Sequence, residues 1–148
     1  MKPLERFRAS LPSLRSRLVH VYVDRGHVEA WRKEGLDGFE ARRASRLGGL
    51  LNAMDRGRAR TLDLLARLDA LERGEVERVE DGGNDVKLTA WRDRAEVVNN
   101  LVPDEPPARL TLREVKDALL DWRDVLEETI ARREAGREDE EWARAYRA

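Results

Sequence analysis

The sequence predicts an α+β protein, rich in helix, with a small three-stranded antiparallel β-meander packed against two or more helices. Apolar residues, many of them leucine, recur mainly at intervals of three and four through residues 47–71 and again after Thr111, which is the spacing of the buried face of a helix. Between them, apolar and polar residues alternate over residues 86–91, as in a strand with one buried face. The length of 148 residues suits one hydrophobic core, so we expect a single domain. Its parts are a helical half over 1–74, the meander and a last helix over 75–134, and an acidic segment over 135–148.

The first part of the chain is expected to form short helices. Serine caps a first helical turn and proline is tolerated within it, so residues 10–13 predict a helix start. The β-branched, alternating residues 19–23 suit a strand as well as a continuation of that helix. A short helical turn is predicted over residues 28–32 and ends at Gly35.

Two leucine stripes predict the main helices of the first half. Asp37 can cap the first helix, and Gly74 ends the second. Glycine is unfavourable inside a helix, so we expect a break near Gly57, although one long helix over both stripes remains an alternative. The stripes are Leu47, Leu50, Leu51 and Met54, and Leu62, Leu65, Leu68 and Leu71.

The pattern changes to that of a sheet after Gly74. Residues 81–84 combine aspartate, two glycines and asparagine, which is the composition of a hairpin turn, and residues 92–94 indicate a second turn. Proline cannot continue a β ladder, so residues 103–107 are expected to end the sheet. The three predicted strands cover residues 76–80, 86–91 and 95–102.

The last predicted helix covers residues 111–134. Thr111 and Glu114 have the spacing of a capping box, in which each side chain bonds the backbone N–H of the other residue. One face of the helix is apolar, and we expect its Leu119 and Trp122 to pack on the sheet. The opposite face is acidic, with Glu114, Asp117, Asp121, Asp124, Glu127 and Glu128.

Charge is divided unequally between the two halves of the chain. Residues 1–74 contain 16 Lys and Arg against 10 Asp and Glu, a net charge of +6, whereas residues 75–148 contain 13 against 20, a net charge of −7. The net charge of −1 for the whole chain therefore conceals a dipolar molecule. Such a surface steers a charged macromolecular partner.

The acidic half contains the candidate partner-binding residues. Its carboxylates either decorate a solvated helix face or attract a basic protein. Trp91 either packs on a helix or is exposed, and an exposed tryptophan beside charge is typical of a binding hot spot. The candidates are Glu127, Glu128, Glu134, Glu138, Asp139, Glu140, Glu141, Trp142 and Trp91.

The arginines of the basic half have three alternative roles. They can bind the phosphates of a nucleic acid, cover a solvated helix face, or dock onto the acidic half of the same chain. No recognised nucleic-acid-binding motif accompanies them, so a nucleic-acid-associated regulator is the second hypothesis and not the first. The cluster comprises Arg42, Arg43, Arg46, Arg56, Arg58 and Arg60, with Arg15 and Arg17 in the same half.

No residue pattern predicts an enzyme, a metal site or a cofactor. The chain has no cysteine, and His20, Asp24 and His27 have metal-site spacing on a helix but lack a fourth ligand. The glycines at 82–83 lack the Gly-Lys-Ser/Thr ending of a phosphate-binding loop. No signal peptide or membrane-spanning stretch is visible, so we expect a cytoplasmic protein.

Residues 62–130 combine a helix, a meander with the turn Gly83-Asn84, a proline-bearing loop and a late helix with the pair Trp122-Arg123. This arrangement resembles bacterial immunity proteins that neutralise contact-dependent or other polymorphic toxins. The resemblance implies a non-catalytic protein that inhibits a toxin or effector by covering its active site or another essential surface. Together with the acidic half, it predicts a basic protein partner and no membrane partner.

Overall fold

The computed structural model describes residues 15–24, 27–53 and 57–136. These residues form three helices and two antiparallel sheets, so the predicted α+β class is confirmed. In chain order the elements are β1 (Val19–Asp24), β2 (His27–Arg32), α1 (Gly38–Ala53), α2 (Arg58–Glu72), β3 (Val79–Gly82), β4 (Val86–Trp91), β5 (Arg94–Asn99), β6 (Ala108–Leu110) and α3 (Leu112–Gly136).

A β-hairpin replaces the helical turn that was expected over residues 28–32. β1 and β2 pair antiparallel, with the buried residues Val21 and Ala30 opposite each other, while Trp31 is 57% exposed. β-branched side chains favour this pleated arrangement, and the pairing of two alternating segments outweighs the helical spacing within β2. The helix start predicted at residues 10–13 lies outside the described residues.

α1 and α2 are separate helices on the two leucine stripes. Asp37 caps α1, because its Oδ1 accepts a hydrogen bond of 2.8 Å from the backbone N–H of Glu40. α2 starts directly after Gly57, which confirms the predicted break. The core face of α2 contains Leu64 in place of Leu62, which is 39% exposed.

The second sheet has four strands in the order β3-β4-β5-β6, so the prediction of a three-stranded meander is wrong. β6 begins directly after Pro107 and pairs antiparallel with β5, where Leu110 lies opposite Ala95. Proline cannot donate to a ladder but is tolerated beside an edge strand. The proline segment therefore separates two paired strands and does not end the sheet.

The predicted hairpin turn between β3 and β4 is confirmed. Gly82 has a φ of 123°, a conformation that L side chains rarely adopt. A Cβ at this position would also collide with the backbone oxygen of Val86. Only glycine fits there, so Gly82 has a structural role in the turn.

α3 begins with the predicted capping box. The Thr111 hydroxyl accepts a hydrogen bond of 3.0 Å from the N–H of Glu114, and the Glu114 carboxylate accepts one of 2.8 Å from the N–H of Thr111. Leu119 and Trp122 are 0% and 1% exposed, which confirms their predicted places in the core.

One continuous hydrophobic core connects the elements. α1 packs against β2 and also contacts β4, β5 and β6, so it lies between the hairpin and the four-stranded sheet. α3 packs beside α2 and contacts β1. Leu88, Ala90 and Val97 face this core, and the residues that alternate with them face away from the helices. Within the three described ranges, no helix is long and apolar enough to cross a membrane.

Candidate functional site

Trp91 lies on the side of the four-stranded sheet that faces away from the helices. It is half-buried at the end of β4, opposite Arg94 of β5. The guanidinium carbon of Arg94 lies 4.1 Å from the centre of the Trp91 ring, which is a cation–π contact. Trp91 is therefore a surface residue with a fixed neighbour. Sequence reasoning placed Arg94 in a turn, whereas a two-residue turn at 92–93 puts it directly across from Trp91.

Half-buried and charged residues surround this pair on the outer sheet face, by which we mean Thr89, Trp91, Arg94, Glu96 and Val98. At its edge, the exposed Arg109 lies 3.7 Å from the half-buried Glu96 in a long ion pair. Such pairs contribute little to stability, so they leave the charges available to a partner. A tryptophan and an arginine beside polar neighbours match the composition of a protein-binding surface.

The described acidic candidates lie on the C-terminal part of α3. Glu127 is 2.5 Å from Arg58 on α2, and Glu128 is 2.8 Å from Arg132 on α3 itself. Their side chains remain 42% and 32% exposed, and Glu134 is exposed. The carboxylates thus face solvent, although part of their charge is neutralised within the fold.

The structure does not bring the acidic candidates and Trp91 into one cluster. Trp91 lies on the sheet face that points away from the helices, whereas Glu127 and Glu128 lie on the helix α3. They form two separate candidate surfaces. The remaining predicted residues, Glu138, Asp139, Glu140, Glu141 and Trp142, lie outside the described residues.

Most of the predicted arginine cluster is bonded inside the fold. Arg60 on α2 lies 2.5 Å from Asp81 on β3, a contact that joins the basic half of the chain to the acidic half. This is the third of the roles considered from the sequence. Arg56 lies outside the described residues. Further pairs between the halves are Arg46 with Glu105, Arg58 with Glu127, Arg17 and Arg43 with Glu114, and Arg15 with Asp121 and Asp124.

Arg17, Glu40, Arg43 and Glu114 form a closed ring of ion pairs, the arginine–glutamate ring. Arg17 bonds Glu40 and, at 2.6 Å, Glu114. Arg43 bonds Glu40 at 2.5 Å and also Glu114, and these side chains of Arg43 and Glu114 are only 11% and 10% exposed. Hydrogen bonds from Arg17 and Arg43 hold the pKa of Glu40 below its ordinary value. The ring joins α1, α3 and the segment before β1, which is a structural role.

A buried carboxylate holds the segment before β1 against α3. Asp121, whose side chain is fully buried, accepts hydrogen bonds of 2.9 Å from the backbone N–H groups of Arg15 and Ser16. Burial acts to raise the pKa of the nearby Asp124, but hydrogen bonds from Arg15 and Arg123 outweigh it and lower that pKa. These acidic residues of α3 therefore organise the fold.

The histidines lie on the hairpin and not on one face of a helix. His20 is in β1 opposite Trp31, and His27 begins β2 opposite Asp24. The helical spacing considered for a metal site therefore does not apply. Among the residues that the structure describes, no three His, Asp or Glu side chains are grouped so that they could hold a metal ion.

A groove of about 300 Å³ lies between α1 and the segment that leads into β6. Phe39 and Arg42 of α1 line one side, and Pro106, Pro107 and Arg109 line the other. We call it the α1–β6 groove. Sequence reasoning missed it, because its two walls are distant in the chain. The only local signal was an apolar residue, Phe39, three positions before Arg42 on a predicted helix.

No protein-family model, curated protein or solved structure matches this chain.

Proposed function

We propose that the chain is a non-catalytic protein-binding module that neutralises a toxin or another effector by binding it directly. The observation that carries this proposal is the Trp91–Arg94 pair on the outer sheet face, at its β4–β5 turn. Tryptophan and arginine are enriched among the few residues that dominate binding energy at protein interfaces. Arg94 already restricts the Trp91 ring, so the ring loses less conformational entropy when a partner covers it.

The exposed glutamates of α3 add charge that attracts a basic partner. Rim charges act mainly on the rate of association, because they steer the encounter before the surfaces touch. Glu127 and Glu128 are partly exposed and lie apart from Trp91, so the proposal assigns them to steering. Trp91 is assigned to the contact that keeps the complex together.

A nucleic-acid-associated regulator is the weaker alternative. Affinity for a phosphate backbone depends on arginines and lysines that are free to neutralise it. Arg43, Arg58 and Arg60 are instead bonded to carboxylates of the same fold. The resemblance of residues 62–130 to immunity proteins also favours a protein partner.

Binding rates measured with a partner captured from the native host test the proposal. Trp91→Ala should speed dissociation by about tenfold, which corresponds to about 1.4 kcal/mol of binding free energy, and should leave association nearly unchanged. Reversing charge with Glu127→Lys and Glu128→Lys should slow association and weaken its salt dependence. The same measurements extend to Trp142→Ala and to reversal of Glu138, Asp139, Glu140 and Glu141.

Two matched variants control for general effects. Trp31→Ala removes another exposed tryptophan, and Glu77→Lys with Asp104→Lys reverses two exposed carboxylates outside α3. Both should leave the two rates unchanged. The proposal would be contradicted by a complex whose association and dissociation rates change neither with Trp91→Ala, nor with charge reversal of the α3 glutamates, nor with salt.

A further inference from the structure

Two arginines at the α1–β6 groove keep their positive charge largely unneutralised. The Arg42 side chain is exposed and makes no hydrogen bond or ion pair within the part of the chain that the structure describes. Arg109 is 79% exposed, and its Nε lies 3.7 Å from the nearest oxygen of Glu96, which is too far for a hydrogen bond. In this they differ from the arginines of the ring, which are bonded within the fold. The groove therefore presents positive charge on both sides, with Arg42 unpaired among the described residues and Arg109 only weakly paired with Glu96.

The same groove has an apolar lining. The Phe39 ring is 62% exposed, and the guanidinium carbon of Arg43 lies 5.6 Å from its centre. Pro106 and Pro107 form the facing wall. Arg43 is nine-tenths buried and belongs to the arginine–glutamate ring. It therefore supports the Phe39 side chain from within the fold. An incoming side chain would meet an aromatic ring and two prolines between Arg42 and Arg109.

The backbone at this edge of the sheet does not favour the addition of another strand. β6 is the edge strand, and the carbonyl of Arg109 already accepts a hydrogen bond of 2.7 Å from Nε of Arg43. Pro106 and Pro107 have no backbone N–H to donate. A ligand of the groove is thus recognised by its side chains and not by a β ladder.

We infer that the α1–β6 groove binds an acidic segment of another protein. An apolar side chain of that segment packs against Phe39 and the prolines, and flanking carboxylates pair with Arg42 and Arg109. Charge complementarity identifies the occupant, since the free groups are cationic and the volume of about 300 Å³ suits one or two side chains. The inference does not rest on the Trp91 surface, so it goes beyond the proposed function.

A nucleic acid fits the groove less well than an acidic protein segment. Binding of a phosphate backbone uses many available cations along an extended track, whereas among the groove arginines that the structure describes only Arg42 and Arg109 lack a close ion pair. Glu105 also lines the groove, but its charge is compensated by its ion pair with Arg46. Two guanidinium groups are enough for a short acidic segment whose carboxylates reach Arg42 and Arg109.

Selection from a phage-displayed library of random dodecapeptides tests the inference with the full chain as bait. Enriched peptides should have one large apolar residue flanked by Asp or Glu. Arg42→Glu with Arg109→Glu should weaken their binding by about tenfold or more, and Phe39→Ala should weaken it without changing the net charge. NMR shifts induced by a selected peptide should cluster at α1 and at the segment before β6.

The matched control is Arg92→Glu with Arg113→Glu, which reverses two exposed arginines outside the groove and should leave peptide binding unchanged. Trp91→Ala should also bind the peptides normally, which separates this inference from the proposed function. Failure to enrich acidic peptides, or equal loss in the control variant, would overturn the inference. The inference would also be overturned if the groove bound single-stranded DNA in preference to the peptides. The same holds if the chain formed a dimer and Arg42→Glu abolished that dimer.

Discussion

Replacing Glu114 with glutamine tests whether the arginine–glutamate ring holds the fold together. Glu114 accepts bonds from Arg17, from Arg43 and from its own capping-box partner Thr111. Glu114→Gln keeps the shape of the side chain but removes the charge that neutralises two guanidinium groups. The side chains of Arg43 and Glu114 are about nine-tenths buried, so solvent replaces little of the lost interaction.

The expected loss lies between two limits. Removing one partner of a buried ion pair destabilises a protein by about 3–5 kcal/mol, whereas an exposed pair contributes about 0–1 kcal/mol. Glu40 still bonds Arg43 in the variant, and the glutamine oxygen can still accept from the N–H of Thr111. We therefore expect the free energy of unfolding to fall by about 2–3 kcal/mol.

Urea unfolding followed by circular dichroism at neutral pH measures this loss. The matched control is Glu96→Gln. Among the described residues Glu96 has one ion pair, with the exposed Arg109 at 3.7 Å, so the substitution should change the free energy of unfolding by less than about 0.5 kcal/mol. An equal effect of the two substitutions, or none for Glu114→Gln, would refute the structural role of the ring.

Three other perturbations test how the fold is held. Asp121→Asn should lower the free energy of unfolding by about 2–4 kcal/mol, because the new amide nitrogen must face a backbone N–H. Its control, Asp124→Asn at a half-exposed position, should lower it by about 1 kcal/mol or less; urea unfolding measures both. Leu119→Ala and Trp122→Ala should destabilise by about 2–5 kcal/mol through buried cavities, as measured by thermal and urea unfolding; no effect would place them outside the core. The folded pKa of Glu40 is lowered, so its contribution to stability is present above its unfolded pKa and lost as pH falls through the folded pKa. Stability measured from about pH 5 to about pH 3 should therefore fall less in Glu40→Gln than in the unmodified chain.

Local signals in the sequence predicted some elements well. The capping box at Thr111 and Glu114 and the apolar face through Trp122 specify α3 without help from distant residues. The hairpin at the start of the chain was missed over β2, because strand pairing is a non-local interaction and residues 28–32 also fit a helical period. β6 was missed because three residues after a run of prolines give no pattern of their own.

The charge asymmetry was visible in the sequence, but the ion pairs that the two halves form with each other were not. Arg17 and Glu114 are 97 positions apart, and Arg43 and Glu114 are 71 apart, so only the folded chain shows that they bond each other. The same holds for the α1–β6 groove. Trp91 and Arg94 are different, because a two-residue turn between strands would have predicted their pairing.

The proposal that this chain acts by occupying its partner is tested most directly by titrating the partner's own activity with the purified chain. A binding inhibitor should reduce that activity in proportion to the amount added and abolish it at an equimolar ratio, with the partner recovered intact. Trp91→Ala should require an excess to reach the same inhibition. Inactivation of the partner by a small fraction of an equivalent, or full partner activity in the presence of an excess of the chain, would contradict the account.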